Sequence, residues 1–226
     1  MTQGCRAFEA VVRERRATRQ FLPTPLTSEQ IRAVLADAQN APSNCNTQPW
    51  HVHVASGATK ETLSKALLRD EHEGYRTPDF SFDAGAFSGM YAERHHQMAK
   101  RRNDAAGISR ADQEARHKDM LRNLSFYGAP HVAFLFMPEI GDSVRTAGDI
   151  GMYAQTLLLS LTARGFAGIP QTVLGFYPHT IREILNVSDD FKLLFGISFG
   201  YADPSTPEQR IDVGRVRLDE SVVFHQ

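Results

Sequence analysis

Ala41-Pro42-Ser43-Asn44-Cys45-Asn46-Thr47-Gln48-Pro49-Trp50 joins an amphipathic helix to an alternating apolar segment, and the rest of the chain is organised around it. The two prolines each fix a backbone angle and restrict the residue before them. The serine, asparagine and threonine side chains place short donors and acceptors close to the backbone. A rigid polar loop of this kind can hold the edge of a planar ligand, although its composition also fits a solvated helix-to-strand turn.

The length, composition and net charge are those of an ordinary globular protein. Its 226 residues are 42% hydrophobic and 23% charged with a net charge of -1, which gives nucleic-acid binding no support. We expect a single domain over residues 1–226, with a polar tail from about 204–226 that wraps the domain or a partner. The sequence shows no signal peptide, no apolar run long enough to span a bilayer and only two cysteines. It therefore predicts a cytoplasmic protein without disulfides or membrane segments.

Helix and strand patterns alternate along the chain. Thr27 and Gln30 have the spacing of a capping box, which predicts the start of a helix that leads into the opening loop. The segment 149–164 is apolar nearly all round, so as a helix it must be buried by the core or by a partner subunit. Further helices are expected at 59–73, 88–102 and 111–126, and strands at 50–55, 132–136, 192–201 and 222–224.

This alternation favours an α/β or α+β domain. The sequence contains no P-loop and no G-x-G-x-x-G, G-x-S-x-G or H-E-x-x-H motif, so a Rossmann dinucleotide domain is unsupported. The histidines predict no metal site. His51 and His53 share a strand face without a third ligand, and the adjacent pair His95-His96 cannot face one ion from a helix.

Several segments admit two interpretations. The cations from Arg15 to Arg19 suit a phosphate or a helix C-terminus. Aromatic residues in the irregular segment 74–89 indicate a lid over a planar substrate or an anchor beneath the loop. The excess of Lys and Arg over 94–122 fits a solvated face or a positive field near a nucleotide site. The small residues of 166–176 fit close backbone approach to a ligand or a simple strand entry.

Four segments together resemble the FMN-dependent nitroreductase family, in the family's order and across nearly the whole chain. Residues 15–21, Arg-Arg-Ala-Thr-Arg-Gln-Phe, are similar to its R-R-S-x-R-x-F opening, with alanine where serine is usual. Residues 41–50 resemble its A-P-S-x-x-N-x-Q-P-W loop, and 168–178 its G-x-P-Q-T-x-L-G-x-Y-P segment. Residues 215–218 lie where the family has a terminal basic pair. One such match is weak, but four in order are specific.

The resemblance implies a nitroreductase-like α+β fold, in which helices flank a mixed, mainly antiparallel central sheet. It also implies a homodimer with an extended C-terminal tail that wraps the partner, and two FMN sites at the dimer interface. Arg15, Arg19 and Arg217 would hold the FMN phosphate, and Arg215 would lie by flavin atoms N1 and C2=O. The other cofactor-binding residues that the resemblance implies are Arg16, Ala17, Pro42, Ser43, Asn44, Asn46, Asn123, Pro170, Gln171, Thr172, Leu174 and Gly175.

The implied activity is a ping-pong reduction of flat electron acceptors such as nitroaromatics or quinones, with NAD(P)H as electron donor. No protein acid or base is expected to be essential, because the flavin carries the chemistry. Arg101 and Arg102 could attract the nicotinamide nucleotide. The small aromatic acceptor would bind against Phe80, Phe82, Phe87, Tyr91, Phe126 and Tyr127. Two alternatives stay open: a specialised branch, such as a reductive dehalogenase or flavin-fragmenting enzyme, and a protein that stores or senses FMN without turnover.

Overall fold

A computed structural model describes residues 7–206 and 211–226; Cys5 and the part of the predicted tail at 207–210 lie outside these ranges. The α-helices are α1 Phe8–Glu14, α2 Ser28–Ala38, α3 Gly57–Glu73, α4 Gly89–Ala105, α5 Gln113–Leu121, α6 Val144–Ala163 and α7 Pro178–Leu185. The strands are β1 His51–Ser56, β2 His131–Pro138, β3 Ala167–Gln171 and β4 Phe191–Gly200. Within the described part of the chain, no helix has the length and apolarity needed to cross a bilayer.

The four strands form one sheet in the order β1-β2-β4-β3, and each neighbouring pair is antiparallel. An isolated parallel bridge joins Ala17 to Gly168 of β3. This bridge brings the arginine-rich segment against the edge strand of the sheet. The α+β class and the mainly antiparallel sheet are therefore confirmed.

Helices cover both faces of the sheet. Residues His131–Met137 of the central strand β2 are all buried, and their side chains alternate between two apolar clusters. Phe134 and Phe136 pack with the cluster formed by α3 and α7, whereas Leu135 and Met137 pack with the cluster formed by α2 and α6. A strand buried on both sides needs a continuous apolar run, which is the pattern that the sequence shows here.

Local signals gave several boundaries and missed others. Thr27 and Gln30 form the predicted capping box at the start of α2. By contrast, α6 begins at Val144, five residues before the expected start, because Ser143 turns the chain with a φ of 63°. The expected helix over 111–126 is confined to α5, which ends at Leu121. The predicted strand at 222–224 was wrong: these residues are exposed and form no strand within the described chain.

Candidate active site

Five arginines line a cavity of about 660 Å³, which we call the arginine cavity. They come from the end of α1, the segment that follows it and the tail, and among the described lining residues only one carries a carboxylate. The charged lining residues are Arg13, Arg15, Arg16, Arg19, Arg215 and Asp212. Burial and, secondly, the neighbouring charge of Arg215 lower the pKa of Arg15. Clustered guanidinium groups repel one another, and a phosphate dianion is the ligand that relieves this repulsion best.

Backbone contacts place the first wall of the arginine cavity. Helix α1 ends at Glu14, and the extended conformation of Arg15 turns the chain towards the sheet. Thr18 is buried, and its N–H donates to the carbonyl of Gly168 at 3.4 Å. The buried ring of Phe21 and its bridge to Ala202 hold the far end of the segment. The arginines between these anchors therefore line the cavity from a fixed backbone.

The tail supplies the second wall. Arg101 of α4 donates to the carbonyl of Asp212 at 3.0 Å, and Gly214 turns the chain with a φ of +73°. This path brings Arg215, rather than Arg217, to the same cavity as Arg15. Within the chain, Arg217 instead donates to both carboxylate oxygens of Asp219 at 3.0 Å. The expected grouping of Arg217 with Arg15 and Arg19 is therefore not formed within the described chain.

A second cavity of about 760 Å³, the central cavity, shares Arg19 with the arginine cavity. Its volume is in the range of about 300–1,000 Å³ that is usual for small-molecule sites. The structure brings several of the predicted residues together here. Those that line the central cavity are Arg19, Asn123, Tyr127, Pro170, Gln171 and Thr172.

The amides of Gln171 and Asn123 build the wall of the central cavity. Gln171 is 2% exposed, and its Nε2 donates to the backbone carbonyl and to Oδ1 of Asn123 at 3.0 and 3.3 Å. Its Oε1 accepts from the hydroxyl of Ser198. Asn123 in turn donates to the carbonyl of Met120 at 2.9 Å. Both side chains are held by protein partners. In this wall the exposed Pro170 and Thr172 are therefore the residues that are open to a ligand in the central cavity.

Leu174 and Gly175 have packing roles that the sequence did not reveal. Leu174 is fully buried in the core. A Cβ atom added at Gly175 would lie 2.7 Å from the backbone oxygen of Leu194 in β4. Glycine is thus required at position 175 by close contact with the sheet, and any ligand contact of Leu174 or Gly175 must come from the backbone.

Asp119 and Arg122 hold α5 against the arginine segment, a role that no local motif signals. Arg122 donates to the carbonyl of Arg19 at 2.5 Å and to Asp119 at 3.2 Å. Asp119 is nearly buried and also accepts from Arg102. The guanidinium of Arg122 lies 5.3 Å from the centre of the Tyr127 ring. This network fixes the boundary between the arginine and central cavities.

The opening loop has an unusual backbone conformation that hydrogen bonds within it and to α6 hold in place. Cys45, Asn46 and Gln48 all have positive φ angles, of 51°, 56° and 47°. Such angles in residues other than glycine persist only when surrounding contacts hold them. Asp149 of α6 accepts the N–H of Asn44 at 3.0 Å, and Ser43 accepts the N–H of Gln48 at 2.9 Å.

The loop lies apart from the other predicted site residues in the described chain. Pro42, Asn44 and Asn46 are exposed and Ser43 is partly exposed. None of these four residues is among the described residues that line the arginine cavity or the central cavity. The described chain therefore presents the predicted site residues in two separate groups.

The aromatic residues of the predicted acceptor slot divide into two groups. Phe82, Phe87 and Tyr91 are 52%, 43% and 62% exposed, and the Phe87 ring lies 5.7 Å from that of His95, which lines the central cavity. By contrast, Phe80 is a partly buried anchor on the core, so the segment 74–89 contains both an anchor and exposed rings.

Phe126 and Tyr127 follow α5 in a left-handed turn, with φ angles of 56° and 53°. Tyr127 is nearly buried but still lines the central cavity. The assignment of Phe126 to the acceptor slot was wrong, because its ring is 0% exposed and packs against Phe134 in the core. The turn that separates the two rings has no signature in the sequence.

Sequence reasoning missed much of the α4–α5 wall. His95, Ala99 and Asn103 line the central cavity from one face of α4, and their four-residue spacing was the available signal. Across from them, α5 contributes Gln113, Arg116 and His117. No described group of three or more histidine, cysteine or acidic residues could hold a metal ion. The wall is therefore suited to bind anions and polar groups.

Comparison with known proteins agrees with this geometry. Residues 12–201 match the family described as the nitroreductase family. Over 218 residues the chain is 44% identical to nitroreductase NfnB of Mycolicibacterium smegmatis, covering 96% of this chain and 92% of that protein. Over 196 residues it is 34% identical to a 4-nitrobenzoate reductase of Pseudomonas putida, covering 87% and 86%.

A solved structure extends this similarity to the fold. The chain superposes on the crystal structure of the FMN-dependent nitroreductase NfnB from Mycobacterium smegmatis in complex with NADPH. The TM-score is 0.92 at 43% identity, with 96% of this chain and 97% of the other covered. The similarity of the fold therefore extends over nearly the whole chain.

Proposed function

Because the chain belongs to the nitroreductase family, we propose that it is an FMN-dependent NAD(P)H oxidoreductase that reduces flat acceptors such as nitroaromatics or quinones. The observation that carries this proposal is the position of Arg15 beside Arg215 in a cavity that adjoins the central cavity through Arg19. The first cavity has the charge that a phosphate needs, and the second has room for a planar ring.

The residues present fit FMN. Arg15, Arg19 and Arg215 would bind its phosphate, with Arg16 and Ala17 beside them in the arginine cavity. The ring would lie against Pro170 and Thr172 in the central cavity. When bound, FMN supplies the redox chemistry by accepting a hydride from the nicotinamide and passing electrons to the acceptor.

The protein contributes position, charge and exclusion of water. Asp119 and Arg122 hold the arginine segment in place, and Gln171 holds the wall that faces the ring. Tyr127 and the exposed rings of Phe82 and Phe87 provide flat surfaces for an aromatic acceptor. Alternating occupancy of one cavity by donor and acceptor gives ping-pong kinetics.

The proposal includes a homodimer. The loop residues 42–46 lie apart from both cavities in one subunit, so a second copy would complete each site. Large apolar side chains are exposed on α1, α6 and the tail, where they can pack against that copy. They include Phe8, Val144, Met152, Leu218, Val223 and Phe224. In this arrangement residues 1–226 are one domain, the tail wraps the partner, and the protein works in the cytoplasm, where NAD(P)H is supplied.

Anaerobic mixing with NADPH tests the function. The yellow absorbance of the purified holoenzyme should bleach and should recover when 4-nitrobenzoate or a quinone is added. Bound flavin that neither NADPH nor NADH reduces would exclude the oxidoreductase and favour a storage or sensing protein. Recovery with a halophenol and release of halide, but not with nitroaromatics, would favour the dehalogenase branch.

A further inference from the structure

A third cavity of about 600 Å³, the outer cavity, lies beside the central cavity. The two cavities share four lining residues: His95, Ala99, Asn103 and Arg116. The outer cavity is closed on its other side by Ile108 and Arg110, from the connection between α4 and α5. A ligand longer than the central cavity can therefore continue across the face of α4 into the outer one.

The charged residues of the outer cavity leave two cations available. Lys100 and Asp104 neutralise each other, with Nζ and Oδ2 2.6 Å apart. Glu93 accepts a hydrogen bond from Gln97 at 2.8 Å. Among the described residues, no carboxylate forms an ion pair with Arg110 or Arg116.

Arg116 is placed between the two cavities by its neighbours. Its Nη1 donates to the carbonyl of Arg110 at 3.4 Å, which directs the guanidinium towards the α4–α5 connection. Asp112 accepts the N–H of Ala115 at 2.9 Å and thereby fixes the first turn of α5. By contrast, Arg102 in the central cavity is already paired with the nearly buried Asp119. The cations that remain for an added anion are therefore concentrated at the outer end.

We propose that Arg110 and Arg116 bind the 2′-phosphate of NADPH, so that the outer cavity selects NADPH over NADH. This inference rests on the proposed function, because it places the nicotinamide in the central cavity against the flavin. The two donors differ only by a phosphate dianion on the adenosine ribose, at the end far from the nicotinamide. Arginine binds such a group through two parallel hydrogen bonds.

The position of the outer cavity argues against an acceptor as its ligand. A small nitroaromatic must lie against the flavin, within the central cavity, to receive electrons. It cannot reach Arg110 at the same time, since Arg110 lines only the outer cavity. A dinucleotide has the length to occupy both, and His95 and His96 offer further hydrogen bonds to its ribose or phosphate.

Binding of nucleotide fragments to the holoenzyme tests the site without turnover. Adenosine 2′,5′-bisphosphate and adenosine 5′-monophosphate differ by the 2′-phosphate, and calorimetry can compare their affinities. We expect the bisphosphate to bind at least about tenfold more tightly to the wild type. Arg116→Gln and Arg110→Gln should each remove most of that difference. Arg32→Gln is the charge-matched control, because Arg32 is exposed on α2 and lines neither cavity.

Kinetics separate this inference from the function on which it rests. The ratio of kcat/KM for NADPH to that for NADH should fall in Arg110→Gln through a higher KM for NADPH, while values for NADH stay unchanged, because Arg110 lines the outer cavity and not the central one. Equal affinity of the wild type for the two fragments, with flavin still reduced by NADH, would overturn the 2′-phosphate site and leave the oxidoreductase intact. Preference for the bisphosphate without flavin reduction would support the anion site and remove the proposed function. If Arg116→Gln fails to fold, Arg110→Gln on the connecting loop gives the same test.

Discussion

Asp79 and Arg182 form a bidentate ion pair, with contacts of 2.7 and 3.2 Å between the carboxylate oxygens and the two Nη atoms. Asp79 also accepts the N–H of Leu193 at 2.7 Å, and both charged side chains are almost buried. These contacts attach Asp79, which precedes the exposed rings of Phe82 and Phe87, to α7 and β4. Asp79 is therefore a fixed point from which these two rings extend.

Replacing Asp79 with alanine should destabilise the protein by about 3 kcal/mol, because the nearly buried Arg182 would keep only the exposed Asp189, at 3.0 Å, as a carboxylate partner. Urea unfolding measures this change. The control is Glu9→Ala, which breaks an exposed pair with Arg13 at 3.5 Å and should cost less than about 1 kcal/mol. Similar losses in the two variants would show that Asp79 does not anchor the exposed aromatic segment.

Arg15→Ala and Arg215→Ala should each weaken FMN binding by roughly tenfold to a hundredfold, because each removes charged hydrogen bonds to phosphate. Arg217→Ala should have a smaller effect within one subunit, since Arg217 is paired with Asp219 outside the arginine cavity. Flavin content after dilution in high salt measures the loss. A larger effect of Arg217 than of Arg215 would indicate that the tail takes a different path in the assembled protein.

His131 should make stability depend on pH. Its Nε2 accepts the N–H of Leu26 at 2.8 Å, so the neutral ring carries its proton on Nδ1 and donates it to Ser56 at 2.5 Å. Burial and, secondly, the charge of Lys60 lower the pKa of His131 from 6.5. At pH values between the lowered pKa of folded His131 and 6.5, the unfolded chain binds more protons than the folded one. The stability that neutral His131 contributes is therefore fully present above pH 6.5 and is lost as the pH falls through this range.

Unfolding experiments at several pH values check this expectation. The difference in unfolding free energy between wild type and His131→Asn should shrink as the pH is lowered through that window. The same difference in unfolding free energy, measured for His53→Asn, serves as a comparison. Burial and, secondly, the charge of His51 also lower the pKa of His53. A difference that stays constant from about pH 7 to pH 5 would contradict a neutral, buried His131.

The exposed and buried aromatic residues should respond differently to truncation. Phe87→Ala should raise the KM for a nitroaromatic by about two- to tenfold and leave stability unchanged, because the ring offers stacking area only. Phe126→Ala should cost about 3–5 kcal/mol of stability, because it leaves a cavity in the core. Steady-state kinetics and thermal unfolding of both variants provide the measurements. A stability loss in Phe87→Ala would identify that ring as an anchor.

Short-range chemistry made part of this structure predictable. The capping box of Thr27 and Gln30 gave the start of α2, and Gly165, whose φ of 78° suits a residue without a side chain, lies just after the end of α6. The continuous apolar run of β2 indicated a central strand because burial on both faces leaves no polar side. Four motifs in order were enough to identify the family.

Long-range geometry accounts for the errors. The left-handed turn at Phe126 and Tyr127 places one ring in the core and the other at the central cavity, and nothing in their local sequence separates them. The tail could not be traced from its composition, so Arg217 was grouped with Arg15 although Arg215 lies there. The role of Arg122 depends on its contact with Arg19, 103 positions away, and that of Asp119 on its contact with Arg102 in another helix.

The arginine cavity takes one wall from near the start of the chain and the other from near its end. A phosphate bound between Arg15 and Arg215 would bridge the segment after α1 and the C-terminal tail. Loss of FMN would then loosen the C-terminal segment, so the protein without flavin should be cut there by added protease faster than the holoenzyme.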